Sequence, residues 1–249
     1  LGDVYKRQIL HTSDVHLDNA IGVPGEESPA QHGLIAVIDQ AIRLEVDLLL
    51  IAGDLFDHNR VKSPCLEFAT AQLSRAQCPV VMITGNHDCM ADYSIYHQYN
   101  PCDAGDHVHF ISDVSGCGDM VDLPEQQITV WGNGIVDHHR GNKPLGNMPV
   151  ERIKEEDHWF IGMTHGFYVN DEDSIYSSLI TADEIEASPF DYLALGHVHQ
   201  YRTMSHGGTQ AAYPGSPNVG HTGGAMTAAH VLFDPESGVS VDRLVLNPA

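Results

Sequence analysis

Residues Leu48-Leu-Leu-Ile-Ala-Gly-Asp-Leu-Phe-Asp57 decide how the chain is read. Five aliphatic residues in a row leave no polar face, so the segment reads as a strand buried on both sides in a parallel sheet, ended by Gly53. Open α/β sheets hold their ligands in the crevice beyond the carboxyl ends of such strands, which places Asp54 at the edge where chemistry is done. The pattern recurs. Ile9-Leu-His-Thr-Ser13 leads into Asp14-Val-His16, and Pro79-Val-Val-Met-Ile83 precedes Asn86 and His87. Trp159-Phe-Ile-Gly-Met-Thr164 ends at His165, and Asp191-Tyr-Leu-Ala-Leu195 ends at Gly196-His-Val-His199.

Between these strands the apolar spacing changes to that of helices. Leu34, Ile35, Ile38, Ala41 and Ile42 give one buried face to a helix over 30–45, and a second helix is expected over 64–76. Residues 90–99 predict a short helix whose Tyr93, Tyr96 and Tyr99 form a stripe, read as a packed face in preference to a substrate platform. Strands over 108–111, 120–123 and 127–131 would build or edge a second sheet. Thr181 with Glu184 marks a short helix start, and strands over 227–233 and 239–246 close the chain around a turn. The Gly- and Pro-containing stretch 133–149 reads as a long loop near the ligand face, from which His138, His139 and Arg140 can approach a substrate.

With 249 residues the chain is long enough for one large α/β domain, expected over 9–249. Residues 1–8 join awkwardly to the first strand and are set aside as a leader of cloning or assembly origin. Acidic residues outnumber Lys and Arg by 34 to 12, a formal charge of -22, and such a field repels polyanions at long range. A strongly DNA-binding surface is disfavoured; a phosphate ester is not, because bound divalent cations invert the local potential. Adaptation to high salt and simple solubility both account for the acidic excess. The 5 cysteines form no close pair, so a disulfide framework or zinc knuckle is not indicated. Reduced thiols and the lack of a signal-like opening make the cytoplasm the expected compartment, and no apolar run is long enough to span a bilayer.

Asp14, His16, Asp54, Asn86, His165, His197 and His199 together supply two carboxylates, four imidazoles and an amide oxygen. Any one of them is weak evidence. As a mixed oxygen and nitrogen set they suit manganese, iron or zinc, and they are numerous enough for a pair of ions with one carboxylate bridging. In Asp14-x-His16 and His197-x-His199 an extended backbone would point both side chains to one side. Gly53, Gly85 and Gly196 precede them and permit tight turns or close approach.

Asp14-Val-His16, Gly53-Asp-Leu-Phe-Asp57, Gly85-Asn-His-Asp88, Thr164-His-Gly166 and Gly196-His-Val-His199 resemble, in order, the motif series of the calcineurin-like metallophosphoesterases. The resemblance implies a four-layer α/β sandwich of two mixed β-sheets flanked by helices. It further implies a dinuclear site in which Asp14, His16 and His199 hold one ion, Asn86, His165 and His197 hold the other, and Asp54 bridges. His87 would contact a phosphoryl oxygen or protonate the leaving oxygen, with Asp57 orienting its ring, while a metal-held hydroxide attacks in line. Within the family, His11-Thr-Ser-Asp-Val-His-Leu17 and Tyr213-Pro-Gly-Ser-Pro217 look most like the Mre11/SbcD-type DNA repair nucleases. That branch implies manganese as the metal, with iron or zinc as alternatives, and nuclease activity on DNA ends or short nucleic acid.

The chain ends shortly after the last motif without the segment that would bind the branch's ATPase, so an ATPase partner is not expected; a homodimer is compatible with the reading. A broad phosphoesterase acting on small monoesters, nucleotides or phosphoproteins is the second reading. A non-catalytic metal-bound scaffold is the third.

Overall fold

The computed structural model describes residues 5–18, 27–137, 139, 141–149, 158–169 and 176–247. His138 and Arg140 lie outside them. Leu48–Ala52 is strand β2, and its alternate side chains enter two different cores. Leu49 and Ile51 pack beneath helices, whereas Leu48, Leu50 and Ala52 face a second sheet. A strand with apolar cores on both faces has no use for a polar residue, which explains its unbroken aliphatic run.

The first sheet continues with β1 (Arg7–Thr12), β3 (Val80–Ile83), β4 (Val108–Phe110), β13 (Thr227–Asp234) and β14 (Gly238–Val245), in the order β14-β13-β1-β2-β3-β4. β1 to β4 are parallel, and β13 joins antiparallel to β1. The second sheet contains β5 (Asp119–Leu123), β6 (Ile128–Asn133), β7 (Trp159–His165), β10 (Tyr192–Gly196), β11 (Tyr201–His206) and β12 (Thr209–Pro214), in the order β11-β12-β10-β7-β6-β5. Short strands β8 (Phe167–Val169) and β9 (Leu179–Thr181) pair with each other. Helices α1 (Pro29–Leu44) and α2 (Ser63–Leu73) cover the outside of the first sheet. Helix α3 (Ala182–Glu186) sends Ile185 into a third core with Phe160, Leu193 and Tyr213 outside the second sheet. The result is the expected four-layer sandwich of two mixed sheets flanked by helices.

Local chemistry accounts for the helix ends. Ser28 and Gln31 form a capping box across Pro29, and Glu45 closes α1 in the left-handed conformation. Thr181 and Glu184 form the same box at α3. Three readings need correction. The segment 90–99 is not a helix but a loop with a 3-10 turn at Ile95–His97, because its backbone donors are taken elsewhere: Met90 N by Ile135 O and Ile95 N by Asn59 Oδ1. Tyr96 and Tyr99 do pack, against Phe56, but Tyr93 stands 68% exposed. β1 starts inside the segment set aside as a leader, with Arg7 paired to Phe233 and its Nε donating to Gln126 O. The β11–β12 hairpin escaped the sequence reading because Arg202, Thr203 and Ser205 are exposed and leave little apolar alternation.

Between the sheets, the buried His11 ring on β1 meets the Tyr192 hydroxyl of β10 at 2.7 Å. Burial pushes this imidazole down to about 3, so it is neutral in the fold and charged below about 6.5 in the unfolded chain. The unfolded state then binds the extra proton, and stability falls as pH drops from 6.5 toward 3. Urea unfolding of His11→Gln should lack up to about 1.4 kcal/mol per pH unit of this acid sensitivity below pH 6. Identical pH slopes in the variant and the parent would contradict the buried neutral ring.

Candidate metal centre

The exits of the parallel strands build the centre. After β1 and β2 the two chains run side by side: Asp14 N donates to Gly53 O at 3.1 Å, His16 N to Asp54 O at 3.0 Å and Leu17 N to Leu55 O at 2.9 Å. Asp14, His16, Asp54 and His197 all have positive φ, at 56°, 54°, 53° and 103°. The extended backbone expected for Asp14-x-His16 and His197-x-His199 is therefore absent; left-handed kinks just past the strands aim the side chains instead. Non-glycine residues held this way are strained, and such strain gathers at functional sites.

Distant segments hold the kinks in place. Ser216 Oγ donates to Asp14 O at 2.6 Å and Asn218 Nδ2 to Val15 O at 3.1 Å, so the Tyr213–Pro217 motif clamps a turn two hundred residues earlier. Tyr213 itself donates to Gly166 O and accepts from Tyr168 N, fixing the chain beyond His165. Two glycines are required by close approach. A Cβ on Gly85 would lie 2.1 Å from Asp54 Oδ1, and one on Gly196 would lie 1.9 Å from Ala52 O and 2.6 Å from His165 Nδ1.

The predicted side chains fall into two groups that both reach Asp54. In one, His16 Nε2 lies 3.2 Å from His199 Nε2, and Asp14 Oδ1 lies 3.5 Å from His199 and 3.9 Å from His16. In the other, Asn86 Oδ1 lies 2.7 Å from His197 Nδ1 and 3.0 Å from His165 Nε2. Asp54 Oδ2 is 3.4 Å from His165 Nε2 and 3.8 Å from His16 Nε2. Asp54 Oδ1 accepts from the backbone N–H of His87 at 2.8 Å. His165 Nδ1 bonds Ala52 O at 2.8 Å, which turns its other nitrogen toward the centre.

His87 has an open ring, 42% exposed, whose Nδ1 lies 2.8 Å from the backbone oxygen of Asp57. The Asp57 carboxylate is farther from it, at 3.7 Å, and instead sits 3.0 Å from His16 Nδ1. Asp57 thus orients His87 through its main chain and His16 through its side chain. His139 is exposed and accepts from Gly141 N in its own loop.

Sequence reasoning missed His221. It lies in the single turn α4 (Val219–Thr222) that follows the Ser216 and Asn218 clamp. Its ring stacks on His16 at 4.4 Å and meets His199 edge-on at 5.1 Å. Nitrogens of His16, His199 and His221 all lie within 4.8 Å of one another. Its only sequence signal is its distance from the Tyr213–Pro217 motif.

The electrostatics favour cations. Burial alone would raise Asp54, but the charge and hydrogen bond of His165, then His16, hold it well below the usual carboxylate range. Asp14 is likewise depressed: burial opposes its charge, and His199 and His165 outweigh burial. Burial would lower His165, but Asp54 raises it to about 9, whereas burial pushes His16 and His197 down to about 4. Two buried carboxylates therefore face the His165 imidazolium together with two imidazoles, His16 and His197, that burial keeps neutral. Asp14 Oδ1 is buried without a well-formed hydrogen bond. An orphaned carboxylate oxygen beside converging carboxylate and imidazole ligand atoms is the donor set a divalent ion requires, so these residues fit a dinuclear metal site.

Because Gly196 carries the approach of β10 to β2, Gly196→Ala should lower stability by about 1–3 kcal/mol and weaken uptake of divalent metal together. Thermal melts with and without metal would show both effects; an unchanged melt would contradict the packing described.

Comparison with known proteins agrees with this geometry. An uncharacterized metallophosphoesterase of Bacillus subtilis, YhaO, is 26% identical over 234 residues, which cover 85% of this chain and 53% of that protein. The DNA double-strand break repair protein Mre11 of Sulfurisphaera tokodaii is 28% identical over 228 residues, 86% of this chain and 54% of that one. The chain thus spans about half the length of these curated relatives. A dimetal phosphatase from Danio rerio shares the fold, with a TM-score of 0.57 at 12% identity, covering 98% of this chain and 99% of its own. The model of the calcineurin-like phosphoesterases matches residues 7–201. With these motifs folded into one metal-capable centre, the chain belongs to the calcineurin-like phosphoesterase family.

Proposed function

We propose that this chain is a phosphodiesterase of the nuclease-like branch, with β1 to β14 as one catalytic domain and manganese as its working metal. The observation that carries the reading is the contrast at the centre: Asp54 is buried between two donor groups, while His87, hydrogen-bonded to it through the main chain, opens to solvent. Asp14, His16 and His199 would hold one ion and Asn86, His165 and His197 the other, with Asp54 within reach of both sets. Two such ions, when bound, would supply Lewis acidity and lower the pKa of water for attack near neutral pH.

The chain's own residues do the rest. His165 is oriented by Ala52 O and His16 by the Asp57 carboxylate. His87, held by the Asp57 carbonyl, faces the position of a phosphoryl or leaving oxygen and stabilises or protonates it. No side chain needs to act as nucleophile. The Mre11 relative and the Mre11/SbcD-like segments favour nucleic acid as substrate. The charge of -22 favours short substrates over long DNA, and it is the specific observation behind the second reading, hydrolysis of small phosphoesters. An ATPase partner, as in the nuclease branch, is not part of the proposal.

Turnover of bis-p-nitrophenyl phosphate, p-nitrophenyl phosphate and a labelled DNA strand, each with manganese, iron and zinc, separates the readings. The proposal expects the diester and DNA to be cleaved best with manganese, and His87→Ala to lower kcat/KM about 100-fold or more. Intact DNA with rapid monoester turnover would favour the second reading, and full activity in His87→Ala would overturn the role given to His87.

A further inference from the structure

A cleft of about 500 Å³ opens directly from His87, between Asp57–Arg60 on one wall and Cys89 with Tyr93 on the other. Asn86 and His87 of the centre form its inner end, and Arg60, Cys89 and Tyr93 extend it beyond the motif series. We propose that this cleft is a subsite for a nucleobase and an adjoining phosphate, so that the substrate is a short nucleotide phosphodiester. The assignment rests on the phosphodiesterase reading and names its substrate class.

Three observations converge on it. First, the walls are built. Asn59 Nδ2 donates to Cys89 O at 3.3 Å and Asn59 Oδ1 accepts from Ile95 N at 2.9 Å, tying one wall to the other. Beneath them the buried Asp88 carboxylate accepts from Gly85 N at 2.7 Å, Phe56 N at 3.2 Å and the Tyr96 hydroxyl at 2.7 Å, joining both loops to the hydrophobic layer below. A cleft braced this way needs little ordering when a ligand enters.

Second, Tyr93 presents a face. It lines the cleft beside Cys89 while 68% of the residue stays open to solvent. Its neighbours in the stripe, Tyr96 and Tyr99, are buried. A single exposed aromatic is ordinary; one that lines the same cleft as His87 offers a flat surface on which any base can stack.

Third, Arg60 supplies a cation where the chain has few. Only 12 Lys and Arg stand against 34 acids. Lys6, Arg7 and Arg75 are engaged with Asp234, Asp47 and Asp39, whereas Arg60, exposed and lining the cleft, has no ion-pair partner among the described residues. A planar cation beside an aromatic face, both next to the site of hydrolysis, matches a base and the next phosphate of one nucleotide unit. The negative surface beyond then limits the length of strand that can follow.

The test is calorimetric binding to the full, manganese-loaded chain, with ligands checked for integrity after each titration. The probes are 2-deoxyribose 5-phosphate, deoxyadenosine 5'-monophosphate and the 5'-phosphorylated dinucleotide pdApdA. The proposal expects the base to tighten binding about tenfold or more, and Tyr93→Ala but not Tyr93→Phe to abolish that gain. Arg60→Gln should abolish the further gain of the dinucleotide while leaving the base effect in place. Loss of either selectivity pattern overturns the assignment. Turnover of bis-p-nitrophenyl phosphate, measured alongside, keeps the two readings apart. Turnover with unselective binding refutes the cleft assignment alone, and selective binding without turnover refutes the phosphodiesterase reading.

Discussion

Everything at the centre depends on keeping Asp54 ionised at 1% exposure. A buried carboxylate is costly unless it is hydrogen-bonded and paired, and a second one, Asp14, lies close enough to raise that cost. The fold answers with the His165 imidazolium, the His87 N–H and, on the Asp14 side, His199 and the N–H of His197 at 3.0 Å. One imidazolium does not balance two anions, and Asp14 Oδ1 stays without a proper donor. That deficit is what two divalent ions would make good, with protons released as they bind.

The placement of these groups follows from the sheets. β2 pairs with β1 and β3 in parallel, and β7 pairs with β10, so the exits of all five strands converge at one edge. This much was legible in sequence, because strands covered on both faces are apolar throughout and the change to Asp, Asn and His at their ends is abrupt. The two-sheet sandwich came from the resemblance of the motif series, since the hydrophobic pattern alone only suggested further strands for a second sheet. The local geometry was not. Positive φ at Asp14, His16 and Asp54 arises from hydrogen bonds between the β1 and β2 exits and from the Ser216 and Asn218 clamp, all of them long-range. No spacing rule within Asp14-x-His16 contains that information.

The same distinction explains the remaining surprises. His221 reaches the site because a buried Ser and Asn anchor its turn, not because of any periodicity of its own. The division of Asp57 between a main-chain contact to His87 and a side-chain contact to His16 depends on two loops meeting. Residues 90–99 carry a helical tyrosine spacing, yet tertiary acceptors and donors claim their backbone and release Tyr93 toward the cleft. Where an element's identity came from its own hydrophobic pattern, sequence sufficed. Where it came from a partner far along the chain, only the structure shows it.

If Asp54 joins both donor groups, its loss should be felt at both ions at once. Calorimetric manganese titration of the parent chain beside Asp54→Asn tests this most directly. The account predicts two ions bound per parent chain and markedly weakened binding of both in the variant, whose overall fold circular dichroism would verify. A folded Asp54→Asn chain that still binds two ions with parental affinity, or that loses one and keeps the other unaltered, would contradict it.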